Sequence, residues 1–91
     1  MDRKHGDRVR RLQRLAVVPG ALIFYESPHR IVATLEAVAE VFPQREVAVC
    51  RELTKLHEEV LRGPAAQLAE ELRARGEVKG EIALVIAPPS E

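Results

Sequence analysis

Tryptophan is absent from this chain, tyrosine occurs once and phenylalanine twice, so aromatics make up only 3% of its 91 residues. That excludes an aromatic core. Packing must come from Val, Leu, Ile and Ala, within an apolar share of 46% that is enough for one small domain. Cys50 is the single cysteine, which excludes an internal disulfide and a cysteine-based zinc site and fits a reducing, cytoplasmic setting. No apolar run approaches the ~20 residues of a membrane span. No apolar segment follows the basic N-terminus, so a signal peptide is not expected either. Gly-x-Gly-x-x-Gly and Walker patterns are missing, as are repeats and low-complexity stretches.

Net charge is missing as well: 14 Lys/Arg balance 14 Asp/Glu, which argues against a protein that coats nucleic acid. The balance conceals an asymmetry. Residues 1–15 carry six cations (Arg3, Lys4, Arg8, Arg10, Arg11, Arg14) against Asp2 and Asp7, a net of +4. Residues 16–91 carry eight cations against twelve carboxylates, a net of −4. A basic arm on an acidic body either contacts phosphate or solvates a helix.

Residues 6–16 read as that basic helix, with a thin apolar stripe of Val9, Leu12, Leu15 and Ala16, and Pro19-Gly20 ends it. Residues 21–25 are a continuous apolar run, as expected of a strand covered on both faces. Ser27 is then an N-cap and Pro28 the first helical residue. Ile31, Leu35, Val38 and Phe42 carry this second helix to about Val41, before Pro43. Residues 46–50 form a second strand and 58–62 a third, antiparallel and at an edge. Gly63-Pro64 opens a third helix that points Leu68 and Leu72 inward and ends at Gly76, and residues 82–87 form the last strand. The expected class is α/β: a small mixed β-sheet with flanking helices, ordered β-α-β-β-α-β after a basic helix. Residues 1–18 form the arm and 19–91 the domain proper.

Two dense polar runs leave strands. The first is Phe24-Tyr25-Glu26-Ser27-Pro28-His29-Arg30 and the second runs from Arg51 to Glu59. Open α/β sheets place ligands just past strand ends. His29 and Arg30 in a first helical turn are unfavourable beside the positive end of the dipole, unless they join the free amides in holding a phosphate or carboxylate. The plainer alternative, of equal weight, pairs Arg30 with a nearby carboxylate and leaves His29 exposed. The second run alternates in sign, and a solvated loop of ion pairs each worth ~0–1 kcal/mol explains it as well as a site does. There Glu52 orients Arg51 or Arg30, while Thr54 and Lys55 hold a polar substrate. His57 has no companion at metal-ligand spacing, so no metal is expected. Cys50 reads as a small apolar residue of a buried strand rather than a nucleophile. Gly80 either permits a tight turn or lets a ligand approach the backbone.

Taken together, Arg3-Lys4-x-Gly6-x-Arg8, residues 22–30, Ala48-Val49-x-Arg51-Glu52-Leu53-Thr54-Lys55-x-His57-Glu58-Glu59, Arg62-Gly63 and Lys79-Gly80-Glu81-Ile82 resemble the C-terminal half of the ribosomal RNA small-subunit methyltransferase I family. That family lies within the tetrapyrrole (corrin/porphyrin) methylase superfamily, and the resemblance spans nearly the whole chain. It implies a two-domain, S-adenosylmethionine-dependent, cytoplasmic homodimer that methylates a ribose 2′-hydroxyl of small-subunit (16S) ribosomal RNA, as a cytidine 2′-O-methyltransferase. It implies that backbone at Tyr25, Glu26, Cys50, Arg51, Gly80, Glu81 and Ile82 closes over the cofactor. Ser27, His29, Arg30, Arg51, Thr54 and Lys55, with Arg3, Lys4 and Arg8 of the arm, would face RNA. Glu26 or Glu52 is the candidate proton acceptor, although either also suits orienting Arg51.

The family's cofactor-binding N-terminal domain has no counterpart in these residues, and Met1-Asp2 stands where the family has Leu-Pro. The expectation is therefore half of a cleft, inactive by itself. Two alternatives stay open: a corrin or porphyrin methyltransferase domain, and a non-catalytic RNA-binding or dimerisation module.

Overall fold

A computed structural model describes residues 3–51, 58–76 and 80–89. Helix α1 spans Arg3–Leu15, strand β1 Leu22–Glu26, helix α2 Ile31–Val41, strand β2 Glu46–Arg51, strand β3 Glu59–Pro64, helix α3 Ala65–Arg75 and strand β4 Ile82–Ile86. The α/β class and the element order are as the sequence leads one to expect. Helix α1 begins three residues earlier than expected, so Arg3 and Lys4 are part of it.

The four strands form one sheet in the order β1-β4-β2-β3. Every neighbouring pair is antiparallel, which corrects the expectation of a mixed sheet. β1 and β2 run the same way, as a β-α-β connection suggests, but they do not touch. β4 enters between them in the opposite sense and pairs with both.

All three helices pack on one face of this sheet. Ile31, Leu35 and Val38 of α2 and Leu68 and Leu72 of α3 meet Val47, Val49, Leu84 and Ile86 in one buried cluster, each at most 1% exposed. Fully burying such a side chain contributes roughly 1.5–3 kcal/mol, so this cluster outweighs the surface ion pairs, at about 0–1 kcal/mol each, as the source of stability. Helix α1 joins through Leu12, with Val9 and Leu15 partly buried against the cluster. His5 Nε2 lies 2.7 Å from Glu40 Oε2 and ties α1 to α2.

Among the described residues no helix covers the other sheet face. Along β1 the burial alternates: Leu22 is buried while Ile23 and Tyr25 are 63% and 89% exposed. The expectation of a strand covered on both faces is thus overturned, because helices occupy one side only. Cys50 belongs to this open face, half-buried rather than buried, in a row with Tyr25, Ala83 and Val60.

The start of α2 also differs from expectation. Residues 28–30 form a turn and the helix begins at Ile31, with Arg30 as N-cap and no side-chain cap. Ser27 caps the turn instead: its Oγ accepts from the His29 N–H (3.2 Å) and its carbonyl from the Arg30 N–H (2.9 Å). A serine that bonds an amide two residues on satisfies a turn in the same way it would satisfy a helix start, and the two are indistinguishable in sequence. Helix α3 ends as expected at Gly76, whose φ of 79° is costly for residues with a Cβ.

Candidate functional site

Strand register gathers the sites. Glu26 pairs with Ile82, Ile82 with Arg51, and Arg51 with Glu59. These four residues form one row across all four strands, at the end where β1 and β2 exit and β4 enters. Two strand spacings put Glu26 and Arg51 roughly 10 Å apart on the helix-covered side. Gly80 and Glu81, immediately before β4, reach the same edge, Gly80 with a φ of 94°. Five of the seven residues singled out for the cofactor thus lie on or beside this row; Tyr25 and Cys50 lie one position inward, on the opposite face. Glu52, Thr54, Lys55 and His57 lie outside the described residues.

Beside the β1 end of the row opens a cavity of about 650 Å³. The β1–α2 connection supplies Tyr25, Glu26, Ser27, His29 and Arg30, and α1 supplies Lys4, Arg8 and Arg11. The basic arm therefore belongs to the same site as the Ser27 turn. Lys4, Arg8 and Arg11 stand at i, i+4 and i+7, one face of a helix. Arg11 was legible from that spacing but was not singled out with its two neighbours. Asp7, at i+3 on the same helix face, and Thr34 also line the cavity, and only the tertiary structure brings Thr34 there. Arg3 does not line it.

Glu26 is held by neutral donors. The Ser27 N–H donates to Oε1 at 2.7 Å and the Thr34 hydroxyl donates to Oε2 at 2.7 Å. The Arg30 Nε stands off at 3.9 Å, on a side chain 65% exposed. The plainer reading of Arg30, as the partner of a nearby carboxylate, is thus met only loosely. His29 is exposed on the cavity wall. Asp7 pairs with Arg10, which points the charge of that carboxylate along α1. Four cationic side chains then face two carboxylates around the opening, a positive balance suited to phosphate.

The far end of the row is bound by charge. Arg51 Nη1 donates to Glu59 Oε1 at 3.0 Å, and Arg75 donates to both Glu59 oxygens at 2.8 and 2.7 Å. Hydrogen bonds from Arg75, reinforced by Arg51, hold the Glu59 carboxyl well down, from the ordinary 4.5 to about 2. Glu59, the last residue of the second polar run and part of the expected third strand, is a carboxylate partner of Arg51. It sits directly opposite Arg51 in the ladder.

Both the sequence and the fold of this chain are similar to those of known proteins. The chain is 48% identical over 87 residues to "Ribosomal RNA small subunit methyltransferase I" of Erythrobacter litoralis, covering 93% of itself and 31% of that protein. To the protein of the same name from Hydrogenobaculum sp. it is 50% identical over 68 residues, 75% of itself and 30% of the relative. The chain is a homologue of ribosomal RNA small subunit methyltransferase I. The likeness to the Micromonospora olivasterospora protein of that name, 42% identical, runs over 100% of the chain and 29% of the relative. The chain therefore spans about three tenths of the length of the curated relatives it matches. A solved cobalt precorrin-4 methyltransferase, a cobalamin biosynthetic enzyme, superposes with a TM-score of 0.61 over 85% of this chain and 32% of its own. At 19% identity that likeness shows a shared fold. No protein-family model matches the chain.

Proposed function

We propose that this chain is the C-terminal, cleft-closing part of an S-adenosylmethionine-dependent enzyme that methylates a cytidine ribose 2′-hydroxyl of small-subunit ribosomal RNA. The observation that carries the reading is the row Glu26–Ile82–Arg51, in a chain homologous to the methyltransferases over nearly all its length. It puts the three stretches expected to face the cofactor on one edge of one sheet. Gly80 supports the fit: its left-handed φ and missing Cβ leave backbone that a ligand can approach closely. Tyr25, Glu26, Cys50, Arg51, Gly80, Glu81 and Ile82 would form one wall for the cofactor. When bound, S-adenosylmethionine supplies an electrophilic methyl group.

The residues of this chain then position and neutralise. Lys4, Arg8, Arg11 and Arg30 hold backbone phosphates, with Ser27 and His29 lining the same opening; such contacts place the RNA without reading its sequence. Arg3, Thr54 and Lys55 are further candidate RNA contacts. Glu26 is the candidate acceptor for the hydroxyl proton. A carboxylate offers about four lone-pair sites, and Ser27 and Thr34 each engage one oxygen, so acceptor capacity remains while the group is fixed in orientation. Glu52 is the alternative acceptor. Methyl transfer needs the donor in line with the hydroxyl, and one wall does not supply that alignment. By itself the chain therefore binds RNA and does not methylate it.

Ribosomal RNA as substrate implies the cytoplasm. Among the described residues no helix is long and apolar enough to cross a membrane. The homodimer implied by the family has a candidate surface in the open sheet face, where Ile23, Tyr25 and Val60 are exposed.

The test is Arg30→Ala in the intact enzyme that contains this segment. Labelled methyl transfer to small subunits should fall while cofactor affinity holds. Undiminished transfer removes Arg30 from the site. Transfer by the 91-residue chain alone defeats the two-wall reading.

A further inference from the structure

The opposite end of the sheet contains a buried guanidinium. Arg45, immediately before β2, is only 9% exposed. Its guanidinium lies over the Phe42 ring, 4.3 Å from the centroid. Among the described residues its Nη1 has no hydrogen-bond partner. Burying a guanidinium nitrogen without a hydrogen-bond partner is costly, and an anion bound beside it would offset that cost. Stacking on Phe42 fixes the guanidinium plane and leaves its edge as the bonding surface.

A second set of donors lies alongside. Glu46 pairs with Pro64 in the β2–β3 ladder, which sets Arg45 next to the start of α3. That eleven-residue helix has Pro64 as N-cap, no side-chain cap and no acidic residue in its first turn. Its first amides therefore have no side-chain partner at the cap, and they lie at the positive end of the helix dipole. Arg45, Gly63 and Pro64 line one cavity of about 330 Å³, together with Gln44 and Glu46. Glu46 is the only carboxylate on that wall, and among the described residues it makes no ion pair with Arg45.

We propose that this corner binds a phosphate group, between the Arg45 guanidinium and the N-terminus of α3. Five residues of β2 separate Arg45 from Arg51, a span of roughly 20 Å. The phosphate belongs either to free phosphate or to the backbone of the RNA. Only the second source rests on the ribosomal RNA reading.

The experiment titrates the 91-residue chain with inorganic phosphate, following amide and guanidinium resonances. Arg45→Met should weaken phosphate binding about tenfold, the effect of losing a charge-assisted contact. Glu46→Gln, on the exposed rim, should tighten it by removing the opposing charge, and this variant does not depend on Arg45 for folding. Absence of phosphate binding by the unaltered chain, or binding that neither substitution moves, overturns the proposal. A second arm uses an RNA hairpin over a range of salt. If the source is RNA, Arg45→Met also lowers the slope of log affinity on log salt by about one. If RNA binding is unmoved while phosphate binding is lost, the ligand is free phosphate and the ribosomal RNA reading is untouched.

Discussion

Glu26 and Glu59 stand at the two ends of one strand row, yet they are held in opposite ways. Glu59 sits between two guanidiniums, in hydrogen bonds of 2.7–3.0 Å that use both its oxygens. Glu26 takes an amide and a hydroxyl, and its nearest cation stands at 3.9 Å. A carboxylate locked by charge is spent on structure: it joins β2 to α3 through Arg51 and Arg75. One oriented by neutral donors at a cavity wall keeps its charge available for a ligand. The difference separates a fastening from a site within a single row of the sheet.

Breaking the fastening should have the largest effect. Glu59→Ala leaves Arg51, 18% exposed at its side chain, without that partner, and Arg75 without both bonds to Glu59. A loss of about 2 kcal/mol is expected by urea denaturation. A loss below a few tenths would mean that the triad is decorative. Acid should act through the same group. Because the folded carboxyl titrates near 2 against an ordinary 4.5, its stabilisation is complete above about 4.5 and is lost as pH falls toward 2. Solvent screening of these partly exposed groups limits the amount to about 1–2 kcal/mol. Between pH 5 and 2 on that scale, the melting temperature of the unaltered chain should fall more steeply than that of Glu59→Gln.

Smaller effects belong to the site end. Thr34→Val removes one hydrogen bond to Glu26 and should cost about 1 kcal/mol, with Thr34→Ser restoring most of it. If Ser does not restore it, the methyl packing of Thr34 matters rather than its hydroxyl. Arg30→Ala should change stability by less than about 0.5 kcal/mol, because the pair is long and the side chain exposed. A cost as large as that of Glu59→Ala would place Arg30 among the fastenings and erase the contrast.

How much was legible varies by element for physical reasons. The apolar positions of α2 and α3 recur at helical spacing because one face packs, and Leu35, Val38, Leu68 and Leu72 are all buried. Residues 21–25 misled, since an unbroken apolar run has no period from which to tell one covered face from two. Ile23 is as apolar as Leu22, and only the placement of helices on one side separates them. Ser27 misled in a related way, because its hydroxyl caps a turn by the same bond that would cap a helix. The polar clusters stood out because they follow strands. Their contacts did not: Thr34 meets Glu26 through the fold, and Glu59 meets Arg51 through a ladder.

By itself the sequence determined the helix and strand order, the basic face of α1, the two polar strings and the kinship they carry, since each is written in local spacing. The tertiary structure decided the rest. Insertion of β4 between β1 and β2 made the sheet antiparallel and drew Glu26, Ile82 and Arg51 into one row. The packing of α1 against α2 turned a basic helix into the wall of a cavity. Strand pairing and helix packing join residues far apart along the chain, and no local pattern encodes which of them meet.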